Sequence, residues 1–281
     1  MKISINIPTN NPDSYFLNFH GSLPFIFRLR DYCEVELFYI FQYPWTIEQI
    51  KKVKIEVEDL GFKFNSTVEH SRDVPSMTYL RNLGIIYSSN SDYFFFADDN
   101  LIFSSGTPKY QESSGERYAQ VLEYLETYKN CGFVMCEGSL GGAIQKWEIS
   151  STKTGLFATA RGLILRNIGK EKIFRSTNNL IGGLEESVAC YHIIEEGFYP
   201  AKQFNNPTKH PHSSRPGVNG SITIHNEEIW DSNCAKYIRD RYDDQSWTHN
   251  SKKWPSGLKE KYLKNNGNKE VFKKRIYRMN F

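Results

Sequence analysis

The feature that most constrains this chain is an aromatic run that ends in three polar residues. Residues 92–103 read DYFFFADDNLIF, so an apolar segment stops at Asp98, Asp99 and Asn100 and resumes at once. A short apolar run of this kind predicts a strand buried on both faces of a sheet. Two adjacent carboxylates at the end of such a strand repel each other and gain most from a bound divalent cation. The alternative is an ordinary acidic turn, since Asp and Asn are common turn residues.

The first hundred residues alternate between strand and helix patterns. Strands are predicted at 2–8, 35–41 and 62–65, and a helix at 46–60. Strands separated by helices predict a parallel sheet with right-handed crossovers. Ligands bind at the carboxyl ends of parallel strands, so Pro8 and Thr9 should meet Asp98 and Asp99 there.

The same alternation continues through the middle of the chain. Further elements are predicted as a helix at 115–130, a strand at 132–136, a strand-like segment at 156–166 and a helix at 187–196. The whole pattern predicts an α/β protein, and the length of 281 residues suits one or two domains.

Composition excludes several classes of protein. No run approaches the roughly 18 apolar residues that a membrane span needs. The five cysteines are an odd number without a Cys-x-x-Cys pair, which argues against a disulfide framework or a structural zinc site. A strand pattern begins directly after Met1, so no signal peptide is predicted. We therefore expect a cytoplasmic protein.

A helix pattern precedes the aromatic strand and carries the sequence Arg81-Asn82-Leu83-Gly84-Ile85. A helix with Arg-Asn-x-Gly-Ile, followed by a strand ending in Asp-x-Asp, resembles the nucleotide-sugar glycosyltransferases with the A-type (GT-A) fold. The resemblance implies a mixed, mostly parallel Rossmann-like sheet flanked by helices over residues 1–225. It also implies a nucleotide-diphosphate sugar donor, with a UDP-sugar the first expectation.

The resemblance also assigns roles to individual residues. Mn²⁺ or Mg²⁺ is expected at Asp98, Asp99 and Asn100, and Pro8, Thr9, Arg81 and Asp98 are expected to bind the donor. The chain departs from the family pattern at Asn100, because the last position of the motif is usually an aspartate that ligates the metal. An Asn carbonyl oxygen can coordinate a cation but brings no charge, so weaker metal binding or a larger part for Asp99 is expected.

A second acidic pair, Glu185-Glu186, follows Gly182-Gly183 and opens a predicted helix. In inverting relatives an acidic pair stands at this point in the order, and its second member is the general base. The resemblance thus assigns Glu186 as the base beside Glu185, although retaining relatives carry a similar segment and the stereochemistry stays open. A carboxylate is suited to accept the proton of an attacking hydroxyl. Acids in a first helical turn can also simply complement the helix dipole.

A third segment combines histidines with basic residues near position 210. Many GT-A enzymes use a late histidine as a further metal ligand, and basic side chains there bind the diphosphate. His212, or else His210, is expected as the ligand, because the two alternate and point opposite ways in an extended loop. Lys209 and Arg215 are expected at the donor phosphates, for which the forked guanidinium is suited.

The end of the chain, residues 226–281, is predicted to be a basic, aromatic extension. Residues 251–281 contain ten basic and two acidic residues, a net charge of +8, so the other 250 residues carry −5 of the overall +3. Interleaved aromatic and basic residues suit a polyanion, and some phage enzymes of this kind glycosylate hydroxymethylated DNA bases. A cell-surface glycan is the other expected acceptor. The extension could instead pack its aromatic residues on the main domain, and a non-catalytic glycan- or nucleic-acid-binding module is the alternative of another class.

Overall fold

The structure is a computed structural model that describes residues 1–69, 77–105, 112–136, 144–146, 162–173, 185–203 and 208. Its strands are β1 (Lys2–Thr9), β2 (Glu34–Gln42), β3 (Lys63–Glu69), β4 (Tyr93–Phe96), β5 (Cys131–Cys136), β6 (Ile144–Lys146), β7 (Leu163–Arg166) and β8 (Tyr199–Gln203). Its α-helices are α1 (Pro12–Ser14), α2 (Ile47–Asp59), α3 (Met77–Tyr87), α4 (Ser114–Thr127), α5 (Lys170–Ile173) and α6 (Glu185–Glu195). A π-helix (Tyr15–His20) and a 3₁₀-helix (Leu23–Asp31) lie between α1 and β2.

The eight strands form one sheet in the order β3-β2-β1-β4-β7-β5-β8-β6. β1 pairs in parallel with β2 and β4, and β2 with β3. β7 runs antiparallel to both β4 and β5, and β6 antiparallel to β8, whereas β5 and β8 are parallel. The predicted mixed, mostly parallel sheet is confirmed. The chain places β2 and β3 on one side of β1 and β4 on the other, so the strand order reverses between β1 and β4.

Burial explains why β4 and most of β2 read as apolar runs, whereas β1 alternates isoleucines with buried polar residues. Every residue of β1 and β4 is buried, and so is all of β2 after Glu34. Helices cover both faces of such a sheet, so side chains on both faces are buried. The buried aromatic rings of β4 thereby bring the polar residues that follow it to the carboxyl edge of the sheet.

Helix α2 shows how local sequence signals set an element's ends. Thr46 caps its start by accepting from the backbone N–H of Gln49 at 3.2 Å, while the Gln49 side chain accepts from the Thr46 N–H at 2.9 Å. The helix ends at Asp59, and Gly61 follows with a φ of 74°, a conformation that glycine adopts without steric cost. Both ends lie where the sequence predicts them.

Three features differ from the prediction. β3 runs on to Glu69, four residues beyond its predicted end. The π-helix and the 3₁₀-helix are too short for an apolar repeat to reveal them. The predicted strand-like segment at 156–166 is described only at its end, where β7 lies antiparallel between β4 and β5. A buried run of four residues carries no signal for its direction.

No helix of the described ranges is both long enough and apolar enough to cross a bilayer. The predicted boundary between residues 225 and 226 and the whole basic extension lie outside the described residues, so they stay predictions.

Candidate functional site

The candidate site lies where the strand order reverses, at the carboxyl ends of β1 and β4. The hydroxyl of Thr9, the last residue of β1, donates to Asp99 Oδ2 at 2.7 Å. Asp99 follows β4 by three residues, and the two strands are paired in parallel. The predicted meeting of the two strand ends is confirmed by this hydrogen bond. A crevice at such a reversal is the usual ligand site of an open α/β sheet.

The burial and the neighbours of Asp99 change the pKa of its carboxyl group. Burial, and to a lesser degree the neighbouring Asp98 charge, raise the pKa of Asp99 from its ordinary value of 3.8 to about 7. Hydrogen bonds from the Thr9 hydroxyl and from the backbone N–H groups of Asn11 and Asn10 act in the opposite direction. The balance leaves a carboxyl group that is costly to ionise unless a cation is bound beside it.

Asp98 is held by Arg81 on α3. Arg81 Nη2 lies 2.8 Å from Asp98 Oδ1 and 3.2 Å from Glu186 Oε1. The Asp98 side chain is 31% exposed, whereas that of Glu186 is 7% exposed. The Arg81 guanidinium thus joins Asp98, which follows β4, to Glu186, the second residue of α6. Asp98 and Glu186 are 88 positions apart in the chain.

Arg81 also ties the ends of the two strands together. Its Nη1 donates to the backbone carbonyls of Asn6 at 3.1 Å and Ala97 at 2.9 Å, and its side chain is fully buried. The guanidinium also lies 5.2 Å from the centre of the Phe96 ring. The contacts that the structure shows for Arg81 are with protein groups. The expected contact of Arg81 with the donor stays a prediction.

The close approach of α3 to β1 depends on a glycine. A Cβ atom at Gly84 would lie 2.7 Å from the side-chain Cγ and Oδ1 of Asn6, a distance at which one of the two must move. The small residue in the Arg-Asn-x-Gly segment therefore lets the helix lie directly on β1. That packing brings Arg81, one turn earlier on the helix, to the strand ends.

Asn100 completes the polar group that follows β4. Its side-chain Oδ1 is buried and has no hydrogen-bond partner among the residues that the structure describes. A buried amide oxygen without a partner is costly and is a suitable ligand for a hard cation. Within the described ranges, no three His, Cys, Asp or Glu side chains converge as a metal site, so a site at this place would need the Asn100 amide beside Asp98 and Asp99.

The remaining predicted residues divide into two sets. Pro8 is buried inside β1 and pairs with Ile40 of β2, so any contact it makes with a ligand is through its backbone. Glu185 is the first residue of α6, and its side chain lies outside the described part. Lys209, His210, His212 and Arg215 also lie outside the described residues. Thr208, directly before Lys209, is described: its hydroxyl contacts the Tyr118 hydroxyl at 2.6 Å and Ser114 Oγ at 3.0 Å, both on α4.

One residue of the site has no counterpart in the sequence prediction. Trp45, three residues after β2, donates from its indole Nε1 to Thr9 Oγ1 at 3.2 Å. Nothing in the local pattern predicts this contact, because a tryptophan after a strand is usually part of the core. Only the pairing of β1 with β2, which brings the two strand ends together, could have suggested it.

Several solved structures are similar to this chain in fold, whereas no family model and no curated protein matches its sequence. The mannosyltransferase PcManGT from Pyrobaculum calidifontis, solved with GDP-Man and Mn²⁺, has a TM-score of 0.59 at 13% identity over 96% of this chain and 72% of that chain. GalNAc-T7, solved with UDP, GalNAc and Mn²⁺, has a TM-score of 0.55 at 12% identity over 94% of this chain and 54% of that chain. S. aureus TarS 1–349, solved with UDP-GlcNAc, has a TM-score of 0.51 at 9% identity over 94% of this chain and 71% of that chain.

The chain is shorter than these proteins, and it spans 58% of a second structure of S. aureus TarS 1–349. At identities of 9–13% such similarity is evidence for architecture. Together with the sheet order and the reversal of strand order between β1 and β4, it shows that this chain has the GT-A fold found in nucleotide-sugar glycosyltransferases.

Proposed function

We propose that the chain is a metal-dependent glycosyltransferase that moves a sugar from a nucleotide-diphosphate donor to a hydroxyl acceptor. The observation that carries the proposal is the contact of Asp99, in the segment Asp98-Asp99-Asn100, with the end of β1 at the strand reversal of a GT-A fold. PcManGT, GalNAc-T7 and TarS were each solved with a nucleotide or nucleotide sugar, the first two also with Mn²⁺. These complexes support a UDP- or GDP-sugar as donor.

The residues after β4 fit a hard divalent cation. Asp98, Asp99 and Asn100 offer only oxygen ligands, which Mn²⁺ and Mg²⁺ prefer. Asn100 Oδ1 is buried without a partner in the described part of the chain, and the raised pKa of Asp99 marks a carboxylate that a cation would stabilise. When bound, such a cation would neutralise charge on the departing nucleoside diphosphate. We propose these three residues as its protein ligands, with His212 or His210 as a further one.

We propose Glu186 as the group that accepts the acceptor's proton. The acceptor oxygen forms a bond to C1 of the sugar, the bond from C1 to the diphosphate oxygen breaks, and the hydroxyl proton passes to the carboxylate. A base must be in its carboxylate form, which is the form that pairs with Arg81 at 3.2 Å. Glu185 precedes it at the start of α6. Lys209 and Arg215 are proposed at the donor diphosphate.

We propose the acceptor from the positive charge of residues 251–281. The excess of basic residues at 251–281, interleaved with aromatic residues, supports a polyanion, and a hydroxymethylated DNA base is the acceptor that we favour. A surface glycan is the other candidate. A DNA complex should weaken steeply as salt is raised, and a flat salt dependence would remove DNA from consideration. Slow hydrolysis of donor without acceptor would separate an enzyme from a non-catalytic binding module.

The donor site is tested by calorimetric titration of the protein with UDP and with GDP, each with and without Mn²⁺. We expect binding of one nucleotide that requires the metal and that Asp99→Ala abolishes. Glu58→Ala is the matched control, since it removes an exposed carboxylate on α2. Metal-independent binding, or binding that survives in Asp99→Ala, would contradict the proposal.

A further inference from the structure

Trp45 lies against the candidate site inside a group of aromatic rings. Its ring centre is 4.8 Å from that of Phe41, 5.4 Å from Tyr15 and 5.7 Å from Phe16, at interplanar angles between 48° and 69°. Edge and tilted contacts of this kind favour particular orientations of a ring. The indole N–H is thereby aimed at the end of β1.

The polar contacts of Trp45 form a chain that ends at Asp99. Indole Nε1 lies 3.2 Å from Thr9 Oγ1, and the same oxygen lies 2.7 Å from Asp99 Oδ2. An indole N–H can only donate, and a hydroxyl has a single proton. Because Thr9 accepts from Trp45, its own proton is directed to the carboxylate. Thr9 is 1% exposed, so water does not compete for these bonds.

The two adjacent carboxylates are thus held by separate parts of the fold. Asp98 is held by Arg81 of α3, whereas Asp99 is held by Thr9 and by the backbone N–H groups of Asn10 and Asn11. Among these donors to Asp99, only the Thr9 hydroxyl can rotate. The direction of the Thr9 O–H bond therefore depends on whether a donor such as the Trp45 indole N–H already binds a lone pair of the Thr9 oxygen.

We infer that Trp45 is a positioning residue of the site, which fixes the Asp99 carboxylate for metal binding through the Thr9 hydroxyl. This inference rests on the metal-dependent function proposed above. It assigns to the polar edge of Trp45 a role distinct from the packing of its ring. Loss of the N–H alone should weaken metal binding even when the aromatic group is intact.

Substitutions can separate the polar contact from the packing. Trp45→Phe keeps an aromatic ring but removes the N–H, Thr9→Val removes the hydroxyl at similar volume, and Thr9→Ser restores it. Phe16→Leu is the control, because Phe16 packs on Trp45 but has no part in the hydrogen-bond chain.

The primary measurement is the affinity for Mn²⁺ alone, followed by the electron paramagnetic resonance signal of the free ion. We expect about three- to tenfold weaker binding for Trp45→Phe and about tenfold or more for Thr9→Val, as for the loss of a hydrogen bond to a charged group. Thr9→Ser and Phe16→Leu should bind like the unaltered chain. The double variant Trp45→Phe/Thr9→Val should be no weaker than Thr9→Val alone, because both act through one hydroxyl.

A second measurement does not involve metal. The indole N–H proton of Trp45 gives a nuclear magnetic resonance signal, identified by its loss in Trp45→Phe. In Thr9→Val, but not in Thr9→Ser, the chemical shift of this signal should change and the proton should exchange faster with solvent. If the unaltered chain binds Mn²⁺ and all variants bind it equally, or if Thr9→Val leaves the indole signal unchanged, the inference about Trp45 is overturned. The proposed function then still stands. No Mn²⁺ binding by the unaltered chain would overturn both.

Discussion

Replacing Arg81 by methionine tests the central contact of the site. Arg81 donates at 3.1 and 2.9 Å to the carbonyls of Asn6 and Ala97, and at 2.8 and 3.2 Å to Asp98 and Glu186. Methionine fills much of the same volume but provides no donor. The variant therefore retains two acidic side chains without their shared cation, and two strand-end carbonyls without this donor.

The size of the effect follows from the burial of each partner. Removing one member of a buried ion pair costs about 3–5 kcal/mol. Glu186, with a side chain 7% exposed, should bear that cost in full, whereas Asp98 at 31% can be hydrated in the variant. The carbonyls add about 1 kcal/mol each at most. We expect Arg81→Met to lower the free energy of unfolding by about 3–7 kcal/mol.

Urea denaturation followed by circular dichroism measures this change. Arg28→Met is the matched control, since Arg28 is 67% exposed and lies 4.0 Å from Glu116. It should change stability by less than about 0.5 kcal/mol. Glu186→Gln should destabilise the unaltered chain, because it weakens an ion pair. In the Arg81→Met background the same substitution should restore about 1–2 kcal/mol by removing a negative charge that Arg81 no longer balances.

Two results would refute this reasoning. One is an Arg81→Met variant within about 1 kcal/mol of the unaltered chain, which would mean that the buried guanidinium contributes little net stability. The other is a Glu186→Gln effect of the same sign and size in both backgrounds. That additivity would show that the two side chains do not depend on each other.

Three further predictions follow from the site. Because the pKa of Asp99 is raised to about 7, the free energy of unfolding without metal should fall as pH rises from about 4 to 7. Asp99→Asn should remove that fall and be up to about 4 kcal/mol more stable than the unaltered chain at pH 8. Melting temperatures that change with pH in parallel in the two proteins would contradict this prediction. Glu186→Gln should bind donor but lose about 100-fold or more in turnover, with Glu185→Gln milder, and steady-state assays showing near-normal turnover would reject this base. Gly84→Ala should destabilise the fold by about 1–3 kcal/mol because its Cβ would lie 2.7 Å from Asn6, and an unchanged melting temperature would count against this packing.

Sequence reasoning predicted the part of the site that depends on strand ends. The aromatic run before Asp98 predicts a buried strand, and two buried parallel strands must end at the same edge, so the Thr9–Asp99 contact follows from pattern and topology. The burial of Arg81 was not predictable, because its four acceptors come from three segments whose packing no local pattern encodes. The Trp45 contact was missed for the same reason.

The antiparallel strand β7 has a consequence for how the chain is made. β4 is a strand of four aromatic residues, and one of its edges pairs with Leu163–Arg166. During synthesis that edge is complete only when the chain has grown some 70 residues past β4. An exposed aromatic strand edge is a template for pairing with other chains. The late position of β7 therefore leaves this edge of β4 open to pairing with other chains until Leu163–Arg166 has been made.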